Sequence, residues 1–275
     1  MFDYEQYLRK SKMPLIWCAG CGDGIVMKAM LRAIHKLQIA KDDICMVSGI
    51  GCSSRLPGYL DFNTLHTTHG RAITFATGIK MVKPELHVIV ITGDGDATAI
   101  GGNHFIHAAR RNIDLTVILF NNHIYGMTGG QVSPTTPFTK HASTAPYGNI
   151  ENPFDISGLA AAAGASFVAR ATAYNAIQLE KLIQKAIEKK GFSVVEAMTP
   201  CPTTYGRRNR EGTGVDMLLY QKDNSVPVAK ANKMDAEELQ GKIVTGVLVD
   251  REKAECRQEY QNLLDHFSKE GEVDS

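Results

Sequence analysis

Short, near-continuous apolar runs recur along this chain, and each ends in a turn rich in glycine, asparagine or proline. Ile44-Cys45-Met46-Val47-Ser48 leads into Gly49-Ile50-Gly51-Cys52-Ser53-Ser54. Leu86-His87-Val88-Ile89-Val90-Ile91 leads to Gly93, and Leu115-Thr116-Val117-Ile118-Leu119-Phe120 to Asn121. Phe192–Met198 reaches Thr199-Pro200-Cys201-Pro202. Runs that are apolar at successive positions suit strands buried on both faces, as in a parallel sheet. Between them, Ile25, Met27, Met30, Leu31, Ile34 and Leu37 lie near helical spacing and predict a helix from Ile25 to about Gln38. Further helices are predicted from about Ala72 to Met81, over Asn103–Arg111, Ile156–Ala165 and Ala173–Lys190, with a short strand at Ser166–Ala169. This alternation predicts an α/β fold with a doubly wound, mostly parallel sheet.

Residues 122–154 hold many Gly, Pro, Ser and Thr and read as one long loop, a length that is usually functional in a compact domain. Past Tyr205 the pattern weakens, and only Val244–Val249 and a helix around Lys253–Lys269 read as ordered. We therefore expect one domain over 1–210 and an irregular C-terminal extension over 211–275 that clasps another subunit.

The 275 residues are 44% hydrophobic and 21% charged, enough for one large core. A net charge of +1 gives no reason to expect nucleic acid or a membrane surface as partner. There is no apolar run long enough for a membrane span, and Met1-Phe2-Asp3-Tyr4-Glu5 lacks the pattern of a secretory signal. A cytoplasmic protein is expected. In that compartment the six cysteines suit metal ligation or core packing better than disulfides.

The chemistry concentrates at two places. Gly93-Asp94-Gly95-Asp96 is followed, after 24 intervening residues, by Asn121-Asn122. Each group directly follows an apolar run, so a parallel βαβ unit brings a carboxylate and a carboxamide to one sheet edge, where open α/β sheets bind ligands. Hard oxygen donors there suit Mg²⁺ held against a diphosphate. A lone Gly-Asp-Gly is a common turn; its coupling to the asparagine pair carries the signal. The second place is a set of thiols. Cys18 and Cys21 form a C-x-x-C before a helix, and Cys52 and Cys201 lie in loops after strands. All four can converge on that same edge, as ligands of [4Fe–4S] or of zinc, and spacing does not decide between them. Cys45 in an apolar strand and Cys256 on a polar helix read as structural.

The glycine–asparagine pairing resembles the diphosphate-binding motif of thiamine diphosphate enzymes. Together with Cys18-x-x-Cys21, Gly49-Ile50-Gly51-Cys52-Ser53, Thr68-His69-Gly70-Arg71, Asn121-Asn122-His123-Ile124-Tyr125-Gly126-Met127-Thr128-Gly129-Gly130-Gln131 and Pro200-Cys201-Pro202-Thr203, it is similar to the β subunits of 2-oxoacid:ferredoxin oxidoreductases. The resemblance covers roughly residues 14–210. The stretch from Tyr125 to Pro137 looks most like members acting on 2-oxoglutarate.

The resemblance implies a diphosphate-domain fold, thiamine diphosphate, Mg²⁺ and one [4Fe–4S] cluster. Cys18, Cys21, Cys52 and Cys201 would ligate the cluster. Asp94, Asn122 and the Ile124 carbonyl would hold Mg²⁺, and Ile50, Gly51, Cys52, Ser53, His69, Gly95, Asp96, Gly126 and Met127 would line the cofactor. His69 and His123 are the candidates for a catalytic side chain; His123 and Tyr125 read equally well as ordinary loop residues, and His104 and His107 as helix positions. The implied reaction is reversible oxidative decarboxylation of 2-oxoglutarate with coenzyme A, electrons leaving through the cluster to ferredoxin. The chain has no room for a pyrimidine-binding domain, so an α subunit carrying that domain and its activating glutamate is expected, in an (αβ)₂ heterotetramer. Arg71, Lys140 and Arg207 are candidates for the distal carboxylate. Three alternatives stand beside this: pyruvate or another 2-oxoacid as substrate, a non-redox thiamine lyase with zinc on the four cysteines, and a non-catalytic scaffold subunit.

Overall fold

Each apolar run becomes a strand with its residues shielded from water on both sides, and the helices between them cover the two faces. The computed structural model describes residues 2–271. In chain order the elements are α1 (Asp23–Leu37), β1 (Ile44–Ser48), β2 (Asn63–His66), α2 (Ala72–Val82), β3 (His87–Gly93), α3 (Gly102–Arg111) and β4 (Thr116–Asn121). Then come β5 (Ile124–Tyr125), β6 (Gln131–Val132), α4 (Ile156–Ala163), β7 (Phe167–Thr172), α5 (Ala176–Glu188) and β8 (Ser193–Met198). The tail holds α6 (Arg207–Asn209), α7 (Gly214–Asn224), β9 (Ser225–Pro227), α8 (Val228–Ala231), β10 (Ile243–Asp250) and α9 (Cys256–Gly271).

Eight strands form one sheet in the order β2-β1-β3-β4-β8-β7-β10-β9, and β5 and β6 pair as a small hairpin. From β2 to β7 every pairing is parallel. The register sets Gly93 beside Phe120 and Asn121 beside Met198, so the ends of β3, β4 and β8 share one edge. One face packs on α1 and α5 through Met30, Leu31, Ile34 and Ile183; the other packs on α2, α3 and α4 through Phe105, Ile156 and Phe192. Phe105 and Phe192 meet edge to face at 5.7 Å. The doubly wound sheet predicted from the apolar pattern is the fold observed.

The tail is more regular than its pattern predicts. α7 starts at a capping box, in which the Thr213 hydroxyl accepts from the Asp216 N–H and the Asp216 carboxylate accepts from the Thr213 N–H at 2.7 Å. β10 then joins the main sheet antiparallel to β7. β2, on the opposite edge, is polar and largely solvent-facing, which is why no apolar run announces it. Among the described residues no helix is long and apolar enough to cross a membrane.

Candidate active site

The end of β3 presents Asp94, buried to 4% exposure. Its Oδ2 accepts from the Ser133 hydroxyl at 2.7 Å and lies 2.5 Å from Thr135 Oγ1. Both hydroxyls come from the loop after β6. Burial pushes the Asp94 carboxyl above its ordinary value, and these hydroxyls oppose the shift. A desolvated carboxylate of this kind gains most from a cation placed beside it.

The two asparagines divide their work. Asn121 is buried and turned into the protein: its Nδ2 donates to Glu196 Oε1 at 2.8 Å, and its Oδ1 accepts from the His123 N–H at 3.2 Å. Asn122 is half-buried, and its Oδ1 accepts only at long range, 3.2 Å from the Ile124 N–H. The pair is followed by His123 with φ of 63°, a left-handed turn that bends the chain back into the β5–β6 hairpin. His123 Nδ1 lies 2.8 Å from the Thr135 carbonyl and must donate to it. Desolvation holds the imidazole below its ordinary value, against the pull of the Asp94 charge.

At the neighbouring strand ends, residues 49–53 follow β1, His69 lies between β2 and α2, and Gly95 and Asp96 follow β3. Tyr125 lies over Gly95: its hydroxyl donates to the Gly95 carbonyl at 3.2 Å, and a Cβ at Gly95 would stand 2.2 Å from the ring. Burial, with the Asp94 and Asp96 charges, pushes the Tyr125 phenol up to about 12. Its ring meets that of His69 edge-on at 6.0 Å. Gly126 and the exposed Met127 follow directly after Tyr125. The residues expected to line a cofactor are thus gathered along one edge, except that the Asp96 carboxylate is buried and taken up by protein donors.

The cysteine loops are tied together at the same edge. Trp17 Nε1 donates to the Cys52 carbonyl at 2.8 Å, and the Gly22 N–H to the Pro200 carbonyl at 3.2 Å. Gly22 packs so closely that a Cβ there would stand 2.5 Å from Pro200 Cδ. A Cβ at Gly126 would lie 3.6 Å from Cys52 Sγ and 3.7 Å from Cys201 Sγ, so those two sulfurs face one small clearing. Cys18, Cys21, Cys52 and Cys201 are all free thiols. Burial, helped by the neighbouring Asp23 carboxyl, pushes Cys52 up to about 12 and Cys21 higher still. Among the described residues no three His, Cys, Asp or Glu side chains gather into a group that could hold a metal ion. Cys45 and Cys256 lie elsewhere, on β1 and at the start of α9.

Four functional neighbours escaped the sequence reading. Ser133 and Thr135 reach Asp94 from about forty residues away, and nothing local to them signals it. Glu196 stands among buried residues of β8, and a charge inside an apolar run was the signal for it. Asp23, at the first turn of α1, is fully buried with no hydrogen-bond partner on either oxygen. Burial lifts its carboxyl to about 7. Of the candidate cations, Lys140 is paired with Glu211 at 2.5 Å, Arg71 donates to the Gly70 and Ile100 carbonyls, and Arg207 is exposed on α6. A cavity of about 560 Å³ opens beside Asn121, Asn122 and His123, and tail residues Tyr220, Gln221 and Ile243 form part of its wall.

Residues 49–197 match the family model of the thiamine pyrophosphate enzyme C-terminal TPP binding domain. The chain is 56% identical to the 2-oxoglutarate synthase subunit KorB of Methanocaldococcus jannaschii, over 96% of this chain and 98% of that one. It is 41% identical to the 2-oxoacid:ferredoxin oxidoreductase subunit beta of Saccharolobus solfataricus, over 80% and 73% of the two chains. The chain belongs to the 2-oxoacid:ferredoxin oxidoreductase β-subunit family. A solved member, the 2-oxoglutarate:ferredoxin oxidoreductase from Magnetococcus marinus with 2-oxoglutarate, coenzyme A and succinyl-CoA bound, superposes with a TM-score of 0.86. It is 34% identical, over 97% of this chain and 91% of that one. The residues matched to the thiamine pyrophosphate domain include Cys52, Asp94 and the asparagine pair.

Proposed function

We propose that this chain is the β subunit of a 2-oxoglutarate:ferredoxin oxidoreductase, converting 2-oxoglutarate and coenzyme A to succinyl-CoA and carbon dioxide. The observation that carries the reading is that Asp94, held by Ser133 and Thr135, and Asn122 directly follow the ends of adjacent parallel strands. The names and bound molecules of its close relatives favour 2-oxoglutarate over pyruvate.

The donor types, hard oxygens at one place and thiols at the other, are those the implied groups would take. Asp94 and Asn122 offer hard oxygens for Mg²⁺, and the Ile124 carbonyl completes the expected set. The clearing at Gly126, faced by Cys52 and Cys201, offers thiol sulfurs that would serve as cluster ligands. When bound, thiamine diphosphate takes up the electron pair left by decarboxylation, and a low-potential cluster accepts electrons singly. The chain's own residues would orient that chemistry: Ser133 and Thr135 aim Asp94, Glu196 fixes Asn121, and the 49–53 loop would contribute both to the cofactor and, through Cys52, to the cluster.

The activating glutamate, the pyrimidine-binding domain and ferredoxin are assigned to partners, in a cytoplasmic (αβ)₂ assembly. Residues 211–275 are the part we assign to clasping a partner subunit. Tyr260, Leu263, Leu264 and Phe267 lie at helical spacing on α9 and are exposed, which supports that role.

The test is an anaerobic ultraviolet–visible spectrum of the chain purified with its α partner, before and after 2-oxoglutarate and coenzyme A. A brown complex that bleaches on addition is expected. Bleaching only with pyruvate would change the substrate, and a colourless zinc protein would overturn the ferredoxin-linked reading.

A further inference from the structure

One buried carboxylate joins segments that arrive from three different strands. Oδ1 of Asp96 accepts from the Ile50 N–H at 3.2 Å and the Gly70 N–H at 2.7 Å, and lies 2.5 Å from His69 Nδ1. Oδ2 accepts from the Thr92 hydroxyl at 2.7 Å. Asp96 is 3% exposed, so water does not compete for these bonds. We propose that Asp96 is a positioning residue that couples the two halves of the site, setting Cys52 for the cluster and His69 for the diphosphate at the same time. The inference rests on the cofactor reading given above.

The packing leaves this carboxylate little freedom. A Cβ at Gly49 would stand 2.1 Å from Oδ2, so the 49–53 loop lies directly on the carboxylate. On the other side, a Cβ at Gly101 would stand 2.4 Å from the Asp96 carbonyl oxygen, and one at Gly70 would stand 2.8 Å from the Gly101 nitrogen. Asp96 also opens a π-helical turn over Asp96–Ile100, a distortion found mostly at functional sites. The end of β3 and both loops are therefore packed against one another with no room for an added methyl group at these glycines.

Two consequences follow from donor chemistry. The carboxylate oxygen accepts in this contact, so His69 carries a proton on Nδ1, and Nε2 is the ring nitrogen left to face a ligand. The ring is about one-third exposed, at 35%. Ile50, bonded to the same oxygen, is two residues from Cys52, and Asp96 is two residues from Asp94. A displacement at the diphosphate side thus reaches the cluster loop through one side chain. Coupling of this kind is reciprocal: the factor by which bound cofactor stabilises the cluster equals the factor by which the cluster tightens the cofactor.

The experiment uses the complete αβ complex under anaerobic conditions. Thiamine diphosphate affinity, with Mg²⁺ present, is measured by calorimetry before and after the cluster is removed. The electron paramagnetic resonance spectrum of the reduced cluster is recorded with and without the cofactor. In the native complex, loss of the cluster weakens cofactor binding several-fold, and cofactor addition shifts the spectrum. Asp96→Asn removes the charge that the Ile50, Gly70 and His69 donors share and turns an amide toward the Thr92 hydroxyl; it weakens cofactor binding by about tenfold and abolishes the spectral response, with cluster still present. Thr92→Val removes one donor with little change of volume and gives a smaller loss in the same direction, which covers the case that Asp96→Asn does not fold. Native-like coupling in both variants, or a native complex whose two sites respond independently, would overturn the inference alone. A native complex without iron would overturn the cofactor reading first, and this inference with it.

Discussion

Arg170 Nε donates to Glu196 Oε2 at 2.8 Å, joining neighbouring parallel strands β7 and β8 on the same face as the site. Ser157 donates to the same oxygen at 2.6 Å, while Asn121 donates to the other, so a charge pair one strand away sets the first asparagine of the motif. Glu196 is almost wholly buried and Arg170 mostly so. Glu196→Gln should destabilise the fold by about 3 kcal/mol, because it leaves the mostly buried guanidinium with only the exposed Asp155 carboxylate as counter-charge. Arg170→Met should cost a similar amount. Glu196→Met should cost more than Glu196→Gln, because the Asn121 amide and the Ser157 hydroxyl then lose their acceptor as well; urea midpoints read the difference.

Asp94→Ala should abolish Mg²⁺-dependent thiamine diphosphate binding while leaving iron content unchanged. Thr135→Val keeps the carboxylate and removes one of its holders, so cofactor affinity should fall by about tenfold. Calorimetry of the αβ complex, with iron analysis of the same samples, checks both.

Cys52→Ser should lose the full cluster without losing the fold, whereas Cys256→Ser, on an exposed helix, should keep it. Iron and sulfide analysis after anaerobic purification decides the matter, and a full cluster in the Cys52 variant would remove it from the ligand set.

Burial first, then the Lys80 and Lys190 charges, holds His87 below the ordinary histidine value. The unfolded chain therefore binds this proton at higher pH than the folded one. The stability it contributes is complete above the ordinary value of about 6.5 and declines as pH falls through it toward the lowered folded value. Urea midpoints at about pH 7.5 and 5.5 should drop more for the native chain than for His87→Gln.

The parts of this fold that could be read from sequence are those in which burial writes itself into composition. Val47, Val90, Val117 and Val194 sit inside strands covered on both faces, and a covered strand has few polar choices. β2, with Asn63, Thr64, Leu65 and His66, lies at the sheet edge and is written like a loop. α7 has weak amphipathicity, yet Thr213 and Asp216 stand three apart as a capping pair, a readable mark of its start. At the site, residues that touch a ligand directly form local motifs, whereas those that aim them do not. Ser133 meets Asp94 only because the β5–β6 hairpin folds its loop back, and no spacing rule along the chain encodes that return.

Trp17 is the only tryptophan in the chain, and its indole is anchored to the backbone of Cys52. The molecule therefore carries one ultraviolet-excited lamp, fixed at the mouth of the thiol clearing and shared with no other part of this subunit. An iron–sulfur chromophore seated there would absorb the lamp's output, so the subunit's own emission should stay dim while loaded and brighten as iron leaves.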